Sequence, residues 1–253
     1  MPPPSRNLLL SALLGLSSLS HAATVAEWRL NDFPADSQLP KGTEFLDSAT
    51  PSRPALLATG NIRLESTTDV PGSKIQGEAQ LESSLRILGS KHETALIADV
   101  GSNLNHQDFT VEAFIKAEKA LEWATIFALR RMEGPDWVSW SLQVNPAGYL
   151  VSRFDTNPSA NNLNGFNGRL ATTFRLCDGE WHHVALTVEG STGLATLYVD
   201  AHAMDRPFKI KPLSIKFDDS AQLHVGKGFT GSISNLRISD SILEPEQFLK
   251  AEQ

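Results

Sequence analysis

Three groups of residues in this 253-residue chain could carry chemistry. The first is Asp178-Gly179-Glu180-Trp181-His182-His183, with Asp200 at the far end of the same stretch. Imidazole beside carboxylate is material for general acid–base work, and clustered histidines are material for a metal site. Adjacent residues on a strand point to opposite faces, so His182 and His183 cannot hold one metal together. One is expected beside the core valines and the other partly exposed. The second group is the loop from Asp155 to Gly168, which holds five Asn, one Asp and Phe166. Asn157, Asn161, Asn162 and Asn164 offer amides to ligand hydroxyls, and Phe166 offers a stacking ring. Asp155 and Asn157 carry hard oxygen ligands, which makes them the first candidates for calcium. Asp32, Asp47 and Asp200 are weaker ones. The third is Trp137, on the polar side of its strand with Ser139, Ser141 and Gln143, a mixture that suits a carbohydrate platform. Trp28, Trp140 and Trp181 are expected in the core.

Other chemistry is missing from the sequence. There is no G-x-S-x-G, no H-E-x-x-H and no C-x-x-C. Glu112 and Glu118 read as solvated charges on a strand face. Cys177 is the only cysteine, so no intramolecular disulfide forms, and beside Leu176 it reads as a small buried hydrophobe. The formal charge is −7, with no basic cluster to neutralise phosphates, which disfavours nucleic acid as a partner.

The elements that must position these residues are short strands. Phe109, Val111, Ala113 and Ile115 alternate with Thr110, Glu112 and Lys116. Val138, Trp140, Leu142 and Val144 alternate with Trp137, Ser139, Ser141 and Gln143. Asp178 to Asp200 reads as a β-hairpin. In it Val184, Leu186, Val188, Leu197 and Val199 face the core, and Gly190 to Gly193 supply the turn. Further strands are expected at 24–31, 55–64, 79–88, 125–130, 148–154, 169–176, 221–225 and 232–238. A short helix is expected from Pro245 to about Lys250. Many strands spaced by turns indicate an all-β sandwich or barrel.

Residues 1–22 read as a signal peptide: Arg6 is a positive n-region, Leu8 to Leu19 an apolar h-region, and Ser20-His21-Ala22 a cleavage site. Residues 24–253 read as one domain. No window is apolar enough for a transmembrane segment.

Several stretches together resemble a laminin G-like domain of the concanavalin A-like lectin/glucanase superfamily. They are Ala26-Glu27-Trp28-Arg29-Leu30, Phe109 to Lys116, Trp181-His182-His183-Val184-Ala185, Leu197-Tyr198-Val199-Asp200, and Phe229 to Ile238 followed by Ile242-Leu243. The resemblance implies a two-sheet antiparallel jelly-roll sandwich, concanavalin A-like, with a short C-terminal helix. Its commonest role is an exported binding or adhesion module. In two places the chain departs from the family. Ala201 stands where a Gly often follows Tyr-Val-Asp, and the usual aspartate-rich segment before Phe109 is poorly matched. Laminarinase-type hydrolases of the superfamily carry E-x-D-x-x-E on one strand, and no Asp here has a Glu two residues before it. The expectation is therefore a non-enzymatic, exported module that recognises glycan or an extracellular protein. A structural domain of the cell envelope and a divergent glycoside hydrolase are the alternatives.

Overall fold

The computed structural model describes residues 23–60, 62–71, 83–89, 93–100, 104, 106–120, 123–130, 138–154, 174–204, 207–209 and 221–251. Seventeen strands occur in them. In order they are β1 (Thr24–Trp28), β2 (Gln38–Leu39), β3 (Glu44–Phe45), β4 (Leu56–Ala58), β5 (Arg63–Thr67) and β6 (Ser84–Leu88). Then come β7 (Leu96–Asp99), β8 (Asp108–Lys119), β9 (Ala124–Arg130), β10 (Val138–Val144), β11 (Leu150–Phe154) and β12 (Trp181–Glu189). The last are β13 (Leu194–Val199), β14 (His202–Ala203), β15 (Phe208–Lys209), β16 (Gln222–Val225) and β17 (Thr230–Ser239).

They form two antiparallel sheets packed as a sandwich. A ten-stranded sheet runs β14-β13-β12-β8-β17-β6-β5-β2, with β1 on β17 and β15 on β13. A seven-stranded sheet runs β11-β10-β9-β16-β7-β4-β3. Alternation explains which side of each strand enters the core. Phe109, Val111, Ala113 and Ile115 of β8, and Val184, Leu186 and Val188 of β12, are buried against Phe127, Leu129, Trp140, Leu142, Leu223 and Val225 of the other sheet. Trp140 lies 5.5 Å from Phe109 and 5.9 Å from Phe127, ring centroid to centroid, so it ties the two sheets together. Cys177, expected to be buried, packs half-buried at the core's edge, and burial pushes its thiol up.

The central pair β17–β8 carries a bulge at Gly231, whose φ is +143°. A Cβ there would stand 2.1 Å from the Lys116 carbonyl oxygen, so only glycine lets the strands meet. The β12–β13 hairpin forms as expected, with Val184 opposite Val199 and Leu186 opposite Leu197. At its far end Asp200 (φ +51°) and Ala201 (φ +62°) make the two-residue turn into β14. Both sit in the left-handed region, which is why glycine is the common residue at the second position and why Ala201 is strained.

Two expectations change. The C-terminal helix is a single 3-10 turn, Pro245–Gln247, because the chain after it is drawn across β8 instead of winding on. Phe174, Arg175 and Leu176, the described part of an expected strand, lie outside any strand, and Leu176 N–H donates to the Gly148 carbonyl.

Candidate functional site

Each sheet has an outward face, and the strand registers say what each presents. On the ten-stranded sheet the outward residues of β8 include Thr110, Glu112, Phe114 and Lys116. The segment from Ser241 to Leu249 lies across the first three. Thr110 Oγ1 donates to the Ser241 carbonyl (2.7 Å) and accepts from Leu243 N–H (2.9 Å). Leu243 and Phe248 pack on Ala185 and Tyr198.

Glu112, expected to be solvated, is 0% exposed beneath this strap. Its carboxylate is fully engaged. Oε2 accepts from His183 Nε2 (2.7 Å) and from Leu249 N–H (2.8 Å). Oε1 accepts from both Nε (2.8 Å) and Nη2 of Arg237. A charge taken out of water in this way persists because every lone pair has a donor. His183, flanked by Phe114 and Phe248, is therefore a structural partner of Glu112.

His182 points to the other side of β12, as alternation requires, yet it too is buried. Neither histidine is the exposed one expected. His182 Nδ1 lies 2.8 Å from Asp200 Oδ2, and Nε2 lies 3.2 Å from Asp178 Oδ2. Burial pulls the imidazole pKa down, but hydrogen bonds and charges from Asp200 and Asp178 outweigh it and the net position is above 6.5. With carboxylates at both nitrogens the imidazolium is the favoured form, and its role is to clip the start of the hairpin to its far turn. Trp181, expected in the core, instead lies half-buried on the outward face, opposite Lys116, with Nε1 donating to Asp69 Oδ1 (2.9 Å). Asp47 is also structural: Oδ1 accepts from Glu27, Ala49 and Thr50 N–H groups and Oδ2 pairs with Arg53.

The seven-stranded sheet is different. Its outward row runs through paired positions Arg153, Ser141, Ala128, His224, Ile97, Leu57 and Glu44, from β11 to β3. Beside it run Arg130, Gln222 and Asp99 on one flank, and Val151, Gln143 and Thr125 on the other. At the β9–β11 end Ser141, Ala128, Thr125 and Val151 are out of solvent. At the β16–β3 end the face is open: Leu57 is 44% and nearby Leu46 60% exposed.

This open end is a hollow of about 550 Å³. Leu46, Leu57, Ile97 and Pro54 supply its apolar surface, and Glu44, Asp99, Gln222 and Lys41 its polar edge. The edge is ordered by its own hydrogen bonds. Gln222 Nε2 donates to Asp99 Oδ1 (2.6 Å), His224 Nε2 lies 3.3 Å from Gln222 Oε1, and its Nδ1 lies 3.3 Å from Thr94 Oγ1. An aliphatic surface with a fixed amide–carboxylate pair at its margin can hold the C–H face of a small polar molecule while bonding its hydroxyls.

None of these residues was singled out from sequence. The available signal was the pair of runs Leu56-Leu57-Ala58 and Leu96-Ile97-Ala98, which put apolar side chains on a face that alternation would make polar. The expected site residues Trp137, Asp155, Asn157, Asn161, Asn162, Asn164 and Phe166 lie outside the described residues, as does the expected signal segment. Of the strand expected to carry Trp137, Ser141 and Gln143 do point outward, Ser141 in this row and Gln143 on its flank. No group of three or more potential metal-binding side chains occurs among the described residues. No helix among them is long and apolar enough to cross a membrane.

Among solved structures, the chain is similar to domain 4 of AbnA, an extracellular arabinanase from Geobacillus stearothermophilus, determined in complex with arabinotriose. The TM-score is 0.57 at 14% identity, covering 89% of this chain and 96% of that one. It is similar to Trypanosoma rangeli sialidase at TM-score 0.55 and 10% identity, covering 89% of this chain and 31% of the sialidase. It is also similar to botulinum neurotoxin type C, whose cell entry depends on two ganglioside molecules, at TM-score 0.50 and 17% identity. That match covers 86% of this chain and 50% of the toxin structure. At these identities the likeness is one of fold. A comparison with curated protein sequences finds no match. A family model described as the concanavalin A-like lectin/glucanases superfamily matches residues 89–248, from the turn after β6 to the strap across β8. By that match and by its two-sheet sandwich, the chain belongs to the laminin G-like branch of the concanavalin A-like lectin/glucanases superfamily.

Proposed function

We propose that the protein is an exported, non-enzymatic carbohydrate-binding module whose binding surface is the outward face of the seven-stranded sheet. The observation that carries this reading is the open hollow, with Leu57 and Ile97 on one side and the hydrogen-bonded Asp99–Gln222 pair on the other. Sugars present apolar C–H faces and polar edges together, which is what this surface can meet. The arabinotriose complex and the ganglioside dependence of the similar structures support the same class of ligand. Export rests on the character of residues 1–22. A non-enzymatic role is supported by the missing E-x-D-x-x-E and by Glu112, which is consumed in holding the C-terminal strap. Glu44 and Asp99, the carboxylates of the hollow, sit on strands two places apart.

Titration calorimetry with neutral, acidic and sulfated oligosaccharides, with and without calcium, tests the reading. Binding by at least one glycan is expected, and Asp99→Ala with Gln222→Ala should weaken it about tenfold while the melting temperature stays put. Silence across the panel overturns the proposal, and release of shorter sugars on long incubation overturns the non-enzymatic part. A second reading, a protein-contact domain of the cell envelope, is favoured by the exposure of Leu46 and Leu57. It predicts a stable complex with an envelope protein that Leu57→Ser disrupts.

A further inference from the structure

Among the described residues, the outward face of the ten-stranded sheet is crossed by the strap at its β8–β12–β13 end and by the segment after β5, where the Asp69 carbonyl accepts from Ser84 Oγ. Across the rest runs a second row: Trp181, Lys116, Ser232, Arg86, Glu65 and Gln38 are successive cross-strand partners on β12, β8, β17, β6, β5 and β2. Cross-strand partners share a face, and neighbouring strands lie about 4.8 Å apart, so the row is about 24 Å long.

Its side chains are held in place. Asp69 accepts from Trp181 Nε1 (2.9 Å) and pairs with Lys116 Nζ (2.8 Å), which fixes the indole by its polar edge. Arg86 Nη2 lies 2.6 Å from Glu118 Oε1. At the β2 end Gln38, Arg63, Glu65, Thr67 and Arg86 line a basin of about 330 Å³. None of these residues takes part in the hollow on the other sheet.

We propose that this row is a second glycan-binding face, selective for neutral oligosaccharides, and that the protein is therefore bivalent. The chemistry of the row argues for that occupant. Each cation has a carboxylate neighbour, so donors and acceptors alternate along the row. A hydroxyl can donate to Glu65, Asp69 or Glu118 and accept from Arg86 or Lys116, and the indole can take a C–H face. With Asp36 and Arg63 of the basin included, four carboxylates stand against three cations, which works against an acidic glycan. Trp181 is the only large apolar side chain in the row, whereas a protein interface draws on a cluster of apolar anchors. A length of about 24 Å suits a chain of several sugars running across the strands. The face stands on its own residues, whereas the bivalence rests on the hollow also binding sugar.

The experiment measures stoichiometry on the full chain by calorimetry, with neutral arabino-, xylo- and cello-hexaose as probes, alongside light scattering with the matching soluble polysaccharides. Wild type should bind two oligosaccharides per chain and raise scattering by cross-linking the polymer. Arg86→Ala with Glu65→Ala should lower the stoichiometry from two to one and abolish cross-linking, and Lys116→Gln should do the same with the core untouched. Asp99→Ala with Gln222→Ala should remove the other site. A stoichiometry of one that only the Asp99 and Gln222 changes remove overturns the second face and leaves the hollow standing. Two sites indifferent to the Asp99 and Gln222 changes overturn the hollow alone. Failure of every hexaose to bind overturns this inference, and acidic glycans binding in the same titrations would leave the carbohydrate reading intact.

Discussion

The two outward faces were built from the same alternation, yet they use their polar groups in opposite ways. On β8 and β12 of the ten-stranded sheet, Glu112, His183 and Thr110 are spent on a strap of the chain's own C-terminal residues. On β7 and β16 of the seven-stranded sheet, Gln222 bonds to Asp99 and to His224, and all three stay reachable from solvent. A buried, saturated carboxylate stabilises a fold, whereas a half-exposed, pre-ordered one can exchange its partners for a ligand. Position in the superfamily fold is equivalent in kind; what lies over the face decides its use.

This contrast predicts unequal responses to the same substitution. Glu112→Ala strands Arg237 and His183 without their anion and frees Leu249 N–H, and should cost about 3–5 kcal/mol of folding stability in denaturant melts. Asp99→Ala should change stability by less than about 0.5 kcal/mol. Equal losses would erase the distinction between the faces. On the ten-stranded sheet, Gly231→Ala drives a methyl into the Lys116 carbonyl at a position already at positive φ, and should cost about 3 kcal/mol, again read from denaturant melts.

The His182 clip sharpens the comparison by pH. Its imidazole sits above its ordinary 6.5, so the stability it supplies is full below that value and is lost as pH rises through the folded-state position. Asp178 and Asp200 are also desolvated, but contacts with His182 and backbone N–H groups hold both below 3.8. Their share is present above 3.8 and lost as pH falls through their folded positions. The clip is strongest between about 4 and 6.5. Thermal melts should fall on the alkaline side of that window, and His182→Gln should flatten the fall. An unchanged slope in the variant would assign the pH dependence elsewhere. The smallest effect is at the turn of the same hairpin, where Ala201→Gly should relieve left-handed strain and add about 0.5–1 kcal/mol.

The sequence made the inward half of the sandwich legible. Phe109, Val111, Trp140, Leu186 and Val199 fall on core faces because period-two alternation is a local property that burial enforces directly. The outward half was less legible. Alternation marks Glu112, His183 and Trp181 as facing away from one neighbour without saying whether a distant segment covers them, and the strap that buries Glu112 arrives more than a hundred residues later. The hollow escaped notice for a related reason. Its strands β4, β7 and β16 are three or four residues long, too short for periodicity to stand out, and their outward Leu57 and Ile97 read as ordinary core.

The proposal that sugar binds at the open end of the seven-stranded sheet can be tested residue by residue. Backbone amide shift mapping by NMR, titrating arabinotriose or another glycan that binds, tests it most directly. Perturbations should group on β4, β7 and β16, led by Leu57, Ile97, Asp99, Gln222 and His224. Saturable binding that leaves all five unperturbed would contradict it.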